Sequence, residues 1–160
     1  MTISSEVLRR VHATGSQQDW VVTTPQLKSA GADRNTVRRM VRSGHWVPLT
    51  RGSYWVQVGR DDRGPSLRSR VRGALLACGP EVVAAGPTAA RLLGIQGLPK
   101  DDGTLHLAAP PSHEIRSRPG IHVHRTTLSP TARMTLRGIS VTTPVRTCAD
   151  LLLQSLGWRR

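Results

Sequence analysis

The chain has no phenylalanine, one tyrosine, two cysteines and only ten acidic residues among its 160. Each shortage excludes something. Cys78 and Cys148 are too few and too far apart for the disulfide framework of a small secreted domain. Each lies in an apolar, helix-like stretch, so buried free thiols are expected. No run of about eighteen apolar residues occurs, which excludes a membrane-spanning helix. The opening residues, MTISSEVLRRVHATG, lack the apolar core of a secretory signal, and a cytoplasmic location is expected. The scarce acids and the two lysines, Lys28 and Lys100, do not supply the Asp and Glu-x-Lys set that holds Mg²⁺ in a restriction-type nuclease. Gln26-Leu27-Lys28 copies only the spacing. No Gly-x-Ser-x-Gly elbow or phosphate-cradling glycine loop is present. The expectation is a protein that is not an enzyme and needs no cofactor.

What the chain has instead is arginine. Its formal charge is +13, and nearly all of the positive charge is Arg. Up to Arg60, nine Lys/Arg stand against three acids, giving +6, and the remainder has fourteen against seven, giving +7. Both halves therefore favour a polyanionic partner. The planar guanidinium suits bidentate contact with phosphate or guanine. A GC-rich coding bias would account for arginine in place of lysine, but not for the net charge.

Trp20 to Val56 carries the most specific pattern. A short apolar run, Trp20-Val21-Val22, leads into a helix start at Thr23-Thr24-Pro25, where Thr24 can cap and Pro25 suits the first turn. Leu27 and Ala30 supply apolar contacts, and Gly31 suits a left-handed stop. A second helix follows over residues 33–43, DRNTVRRMVRS. At about 100° per residue, Arg34 at 0° puts Arg38 at about 40°, Arg42 at about 80°, Asn35 at about 100° and Arg39 at about 140°. Val37, Met40 and Val41 fall at about 300°, 240° and 340°, so basic and apolar faces separate. Two Trp-bearing runs, Trp46 to Leu49 and Tyr54 to Val56, then flank Thr50-Arg51-Gly52-Ser53 as a hairpin. Helix, turn, basic helix and hairpin in that order form a winged helix-turn-helix.

On that reading Arg34, Asn35, Thr36, Arg38 and Arg39 are the expected base-reading residues, from the first turns of the recognition helix. Thr36 has the alternative of completing the cap. Thr24, Gln26, Arg42, His45, Arg51 and Ser53 are expected against the DNA backbone, the last two from the hairpin tip. Trp46, Tyr54 and Trp55 alternate with apolar residues and are expected to pack rather than to stack on nucleic acid.

The whole chain is expected to be α+β. Residues 1–58 form the winged module, opened by a helix over residues 4–14 and a turn at Gly15-Ser16-Gln17-Gln18. Residues 59–65, GRDDRGP, read as a linker. Residues 66–160 read as a small α+β domain with a short mixed or antiparallel sheet. In it, a helix over 66–78 turns Leu67, Val71, Leu75 and Leu76 inward and Arg68, Arg70 and Arg72 outward. A second helix runs over 89–93, closed by Gly94. Strands follow at Leu105–Ala109, Ile121–Arg125 and 138–142, and a last helix covers 144–156. His106, His122 and His124 could hold zinc, but no fourth ligand has a clear spacing, so surface histidines and no metal are expected.

The segments VVTTPQLKSAG, RNTVRRMVRSGHWVPLTRGSYWV, GPTAARLLGI, LHLAAP, IHVHRTTL and GISVTTPVRTCADLL, in this order, resemble the AbiEi-type antitoxins of actinobacteria. The resemblance covers about Gln18 to Leu153. It implies a transcriptional repressor that binds its own promoter DNA through the winged helix, as the antitoxin of a type IV toxin–antitoxin pair. The implied toxin is a nucleotidyltransferase, countered without a stable complex. Some relatives carry a further C-terminal region; the chain ends at Gly157-Trp158-Arg159-Arg160 and is expected to lack it. The alternative is a non-enzymatic interaction module that binds a toxin or RNA, with only non-specific affinity for nucleic acid.

Overall fold

Ser4 opens the first helix, α1 (Ser5–Ser16): its Oγ accepts from Glu6 N at 3.3 Å, satisfying one orphan donor of the first turn. Glu6 in turn accepts from Arg9 and Arg10 one turn on. The helix runs on through Gly15 and Ser16, which the sequence pattern assigns to a turn. Gly15 can stay helical because it has no side chain; a Cβ there would lie 2.8 Å from Val56 Cγ2.

The computed structural model describes residues 3–56 and 63–155. Contacts divide the chain into two units, Met1–Ala77 and Cys78–Arg160. In the first unit α1 is followed by β1 (Val21–Thr23), α2 (Thr24–Ser29), α3 (Arg34–Arg42), β2 (Trp46–Thr50), β3 (Ser53–Val56) and α4 (Leu67–Cys78). The three strands form an antiparallel sheet with β3 in the centre, pairing Val21 with Trp55 and Trp46 with Val56. Pro48 lies on edge strand β2, where its missing N–H costs no ladder bond. The core beneath combines Val11, Val22, Leu27, Ala30, Ala32, Met40, Trp46 and Val56. Trp46 is 1% exposed and Trp55 8%, so both pack, as expected, rather than offer stacking faces. This is the α+β winged helix-turn-helix that the sequence pattern describes.

Between α1 and β1 the chain reverses through Asp19 and Trp20, with φ of 56° and 60°. Two successive non-glycine residues in the left-handed region are strained and persist only where surroundings hold them. Helix α4 supplies the hold. Arg68 Nε and Nη2 donate to Asp19 Oδ1 at 3.1 and 3.0 Å, and Arg72 Nε donates to Oδ2 at 2.9 Å. Ser69 Oγ donates to the Asp19 carbonyl at 3.0 Å. The arginines expected on the solvent side of this helix therefore turn inward. Its buried face is Ser69, Val71, Gly73 and Ala74, while Leu76, expected inward, is 39% exposed. A Cβ on Gly73 would meet Leu49 Cδ1 at 2.8 Å and Ser53 Oγ at 3.0 Å, so α4 also rests against the wing. Helix α4, assigned from sequence to the second domain, belongs to the first unit. The expected boundary at residue 58 and linker residues 59–62 lie outside the described residues.

The second unit contains β4 (Val83–Ala84), α5 (Gly86–Leu93), β5 (Leu105–Ala109), β6 (Ile121–Arg125), a 3-10 turn (Pro130–Ala132), β7 (Arg133–Leu136), β8 (Ile139–Thr142) and α6 (Pro144–Ser155). The sheet is mixed, in the order β6-β5-β4-β8-β7, with β4–β8 and β5–β6 parallel. Gly94 ends α5 in the left-handed conformation at φ 75°. Strand β7 has no counterpart in the sequence reading. Its turn into β8, Arg137-Gly138, takes φ of 46° and 78°, the positive pair of a two-residue hairpin. Thr142 and Thr147 share a buried 2.7 Å hydroxyl contact that seats α6. Cys78 is half-buried and Cys148 exposed, both free, so the expectation of two buried thiols fails for Cys148, which faces outward on α6. Among the described residues no helix is long and apolar enough to cross a membrane.

The Asp19 clamp yields a stability prediction. Asp19→Asn keeps the shape and the left-handed tolerance of the side chain while removing the charge shared by two arginines. Urea unfolding of the first unit should show a loss of about 1–2 kcal/mol. An unchanged midpoint would mean that α4 does not hold the turn.

Candidate nucleic-acid interface

Helix α3 is positioned from both ends. At its start Asp33 is extended, with φ −75° and ψ 172°, and its Oδ1 accepts from Thr36 N at 2.7 Å. These hydrogen bonds from Thr36, helped by the nearby Arg39 charge, hold the Asp33 carboxyl below its ordinary value of 3.8. The cap is therefore complete above that pH and lost as pH falls through the depressed value. Thr36 thus gives its backbone N–H to the cap, with its side chain half-exposed. At the far end Ser43 Oγ donates to the Met40 carbonyl at 3.2 Å and lies 2.7 Å from His45 Nδ1. The turn between α2 and α3 passes through Gly31 at φ 93°, and Ala32 N returns to the Leu27 carbonyl at 2.9 Å.

Met40 is buried at 9%, and Val37 and Val41 pack against the same core. The opposite face carries Arg34, Asn35, Arg38, Arg39 and Arg42, all exposed. No acid lies within α3, so the basic face has no partner on its own helix. The structure brings four of the five expected base-reading residues onto one open surface, with Thr36 at its edge.

The expected backbone contacts divide. Arg42, His45, Thr24 and Arg51 are exposed. Thr24 N donates to the Gly52 carbonyl at 2.9 Å, which joins the start of α2 to the hairpin turn that carries Arg51. Gln26 is half-buried and occupied. Its Oε1 accepts from Thr23 N at 2.9 Å, from Thr23 Oγ1 at 3.1 Å and from Gln18 Nε2 at 2.9 Å. The capping residue is thus Thr23, not Thr24, and Gln26 closes the helix start. Ser53 requires correction: it is fully buried, with no hydrogen-bond partner for its Oγ among the described residues. It is not at the hairpin tip but opens the central strand β3, under α4. The sequence reading missed the Asp19 clamp, although an Arg-Ser-x-x-Arg spacing on one helix and a lone acid at a tight turn were its signals.

In the second unit much of the arginine is spent on its own chain. Arg125 donates to the carbonyls of Pro110, His113 and Ile115, and Arg133 to that of Pro80. His106, His122 and His124 share one sheet face, with ring centroids 4.5 to 5.5 Å apart. His106 Nδ1 and His124 Nε2 are 3.0 Å apart, the separation of an N–H···N bond. Among the described residues no group of three or more His, Cys, Asp or Glu is placed to hold a metal ion. Burial, then the neighbouring His122 and His106, depresses His124 to about 4 against the opposing pull of Asp150.

The geometry of the first unit meets an independent finding. Residues 16–57 match the family model of the AbiEi antitoxin transcriptional regulators. The AbiEi segment spans β1, α2, α3 and the hairpin, the part of the chain that holds the basic face, and it agrees with the resemblance read from the sequence. No curated protein matches the sequence. Among solved structures, the crystal structure of RV2827C protein from Mycobacterium tuberculosis is similar, with a TM-score of 0.48 and 23% identity. That match covers 80% of this chain and 47% of the other, so the chain spans less than half of its length.

The histidine cluster gives a pH prediction. A histidine depressed from 6.5 to about 4 leaves the unfolded chain binding more protons between these values. The second unit should be fully stable above 6.5 and lose stability as pH falls towards about 4. NMR titration of His124 should give a midpoint at about 4, and a midpoint near 6.5 would remove the cluster's role.

Proposed function

We propose that this chain is a sequence-specific DNA-binding repressor of its own operon and acts as the antitoxin of a type IV toxin–antitoxin pair. The observation that carries the reading is α3: a capped helix with one apolar edge in the core and an opposite face of Arg34, Asn35, Arg38, Arg39 and Arg42. A major groove admits a helix of this width, and arginine and asparagine read guanine and adenine edges bidentately. Arg34, Asn35, Arg38 and Arg39, with Thr36 at the margin, approach base edges. Arg42, His45, Thr24 and Arg51 contact phosphates. Gln26 acts indirectly by fixing the start of α2, and Ser53 has no DNA contact.

The family match supports the regulator and antitoxin part of this reading. The promoter as operator, and a nucleotidyltransferase toxin countered without a stable complex, rest on the resemblance. The protein acts in the cytoplasm, by binding and not by catalysis. The DNA-binding unit includes α4, because Asp19 and the wing both rest on it.

Two substitutions on the same helix separate the roles. Arg38→Ala should weaken binding to the DNA upstream of its gene by about 1–3 kcal/mol and relax discrimination at one base position. Arg42→Ala should weaken all duplexes alike and lower the salt slope by about one. Fluorescence anisotropy over a salt series distinguishes these patterns. Unchanged affinity and discrimination in Arg38→Ala would mean that α3 does not read the bases.

A further inference from the structure

Helix α6 is built against the usual pattern. Its inward side is mixed: Thr147 is buried and bonded to Thr142, and Arg146 pairs with Asp150 at 2.8 Å beside it. Its outward side is apolar. At about 100° per residue, Val145, Cys148, Ala149, Leu152 and Leu153 fall within an arc of about 140°. Val145 is 82% exposed, Leu152 63% and Leu153 46%, and Cys148 and Ala149 are exposed between them. Three of the five large hydrophobic side chains exposed among the described residues therefore lie on one helix face. A contiguous apolar stripe of this kind marks an interaction surface.

Charge identifies the occupant. The chain carries +13, so two copies repel wherever their arginine-bearing surfaces meet. The α6 stripe contains no charged residue. An acidic partner would gain from the basic surfaces and nothing from this one, whereas a second copy can approach only where charge is absent. The residue order is also self-complementary. Val145 and Leu152 are one heptad apart, with the smaller Cys148 and Ala149 midway between them. In an antiparallel pair, Val145 of one copy falls beside Leu152 of the other, and the small residues let the helices approach closely at the axis.

We propose that α6 pairs antiparallel with α6 of a second copy across a two-fold axis at Cys148–Ala149. Such an isologous contact uses the same patch twice. A 12-residue helix is about 18 Å long, and its stripe falls short of the roughly 800 Å² per partner of a standard interface. The dimer is accordingly weak, with a dissociation constant on the order of micromolar or above.

The test uses the full chain without DNA, so its outcome is independent of DNA reading. Sedimentation velocity from about 5 to about 500 µM should show a reversible dimer whose fraction rises with concentration. In a Cys78→Ser background, diamide, which takes up the two electrons and two protons released, should join two Cys148 thiols into a disulfide dimer. Leu152→Arg should weaken association by at least about tenfold and suppress the cross-link; the exposed Val145→Lys serves as a second variant, each checked for native circular dichroism. A monomer throughout the range, a dimer indifferent to both variants, or a dimer without the Cys148 cross-link overturns the proposal.

Discussion

The basic face of α3 depends on the apolar edge beneath it. Helices α2 and α3 have six and nine residues, below the length at which an isolated helix persists in water. Their stability has to come from packing, and Met40, Val37 and Val41 supply it against Leu27, Trp46 and Val56. Burying one such side chain contributes about 1.5–3 kcal/mol. That is enough to hold four arginines on a nine-residue helix whose like charges repel one another. The caps then fix its ends, Asp33 through Thr36 and Ser43 through Met40. Core, cap and basic face are therefore one arrangement, and a change in the core reaches the exposed arginines.

The same economy explains α4. The chain enters β1 through two left-handed residues, Asp19 and Trp20, and this reversal brings α1 against the back of the sheet. The strain is offset by two guanidinium groups and a serine hydroxyl from a helix some fifty residues further on. In the second unit Arg125 and Arg133 serve in the same way, tying loops through their carbonyls. Charge that reads in the sequence as a polyanion surface is thus partly internal scaffolding, and the open cationic surface is concentrated on α3 and the wing turn.

Much of this was legible in the sequence, for physical reasons. The 3.6-residue period of RNTVRRMVR, the left-handed demand met by Gly31, and the alternation around Trp46 and Trp55 are local signals that tertiary structure did not override. So were the strands Leu105–Ala109 and Ile121–Arg125, which the structure reproduces residue for residue. What escaped depends on distant contacts. Nothing near Arg68 and Arg72 in sequence indicates that Asp19 awaits them. Ser53 reads as a polar turn residue until α4 is placed above it. Gln26 reads as a free amide until Thr23 and Gln18 close on it. Strand β7 is only four residues long and alternates weakly, and its turn carries Arg137 where glycine or asparagine would have marked a hairpin.

The most direct test of the central claim is the specificity ratio of the unmodified protein. Anisotropy would compare the duplex upstream of its own gene with a shuffled duplex of equal composition, at several salt concentrations. Reading of bases by α3 predicts affinities that differ by about 10³-fold or more and remain different as salt rises. Equal affinities, both falling steeply with salt, would show that the arginines form only a polyanion surface and would contradict the account.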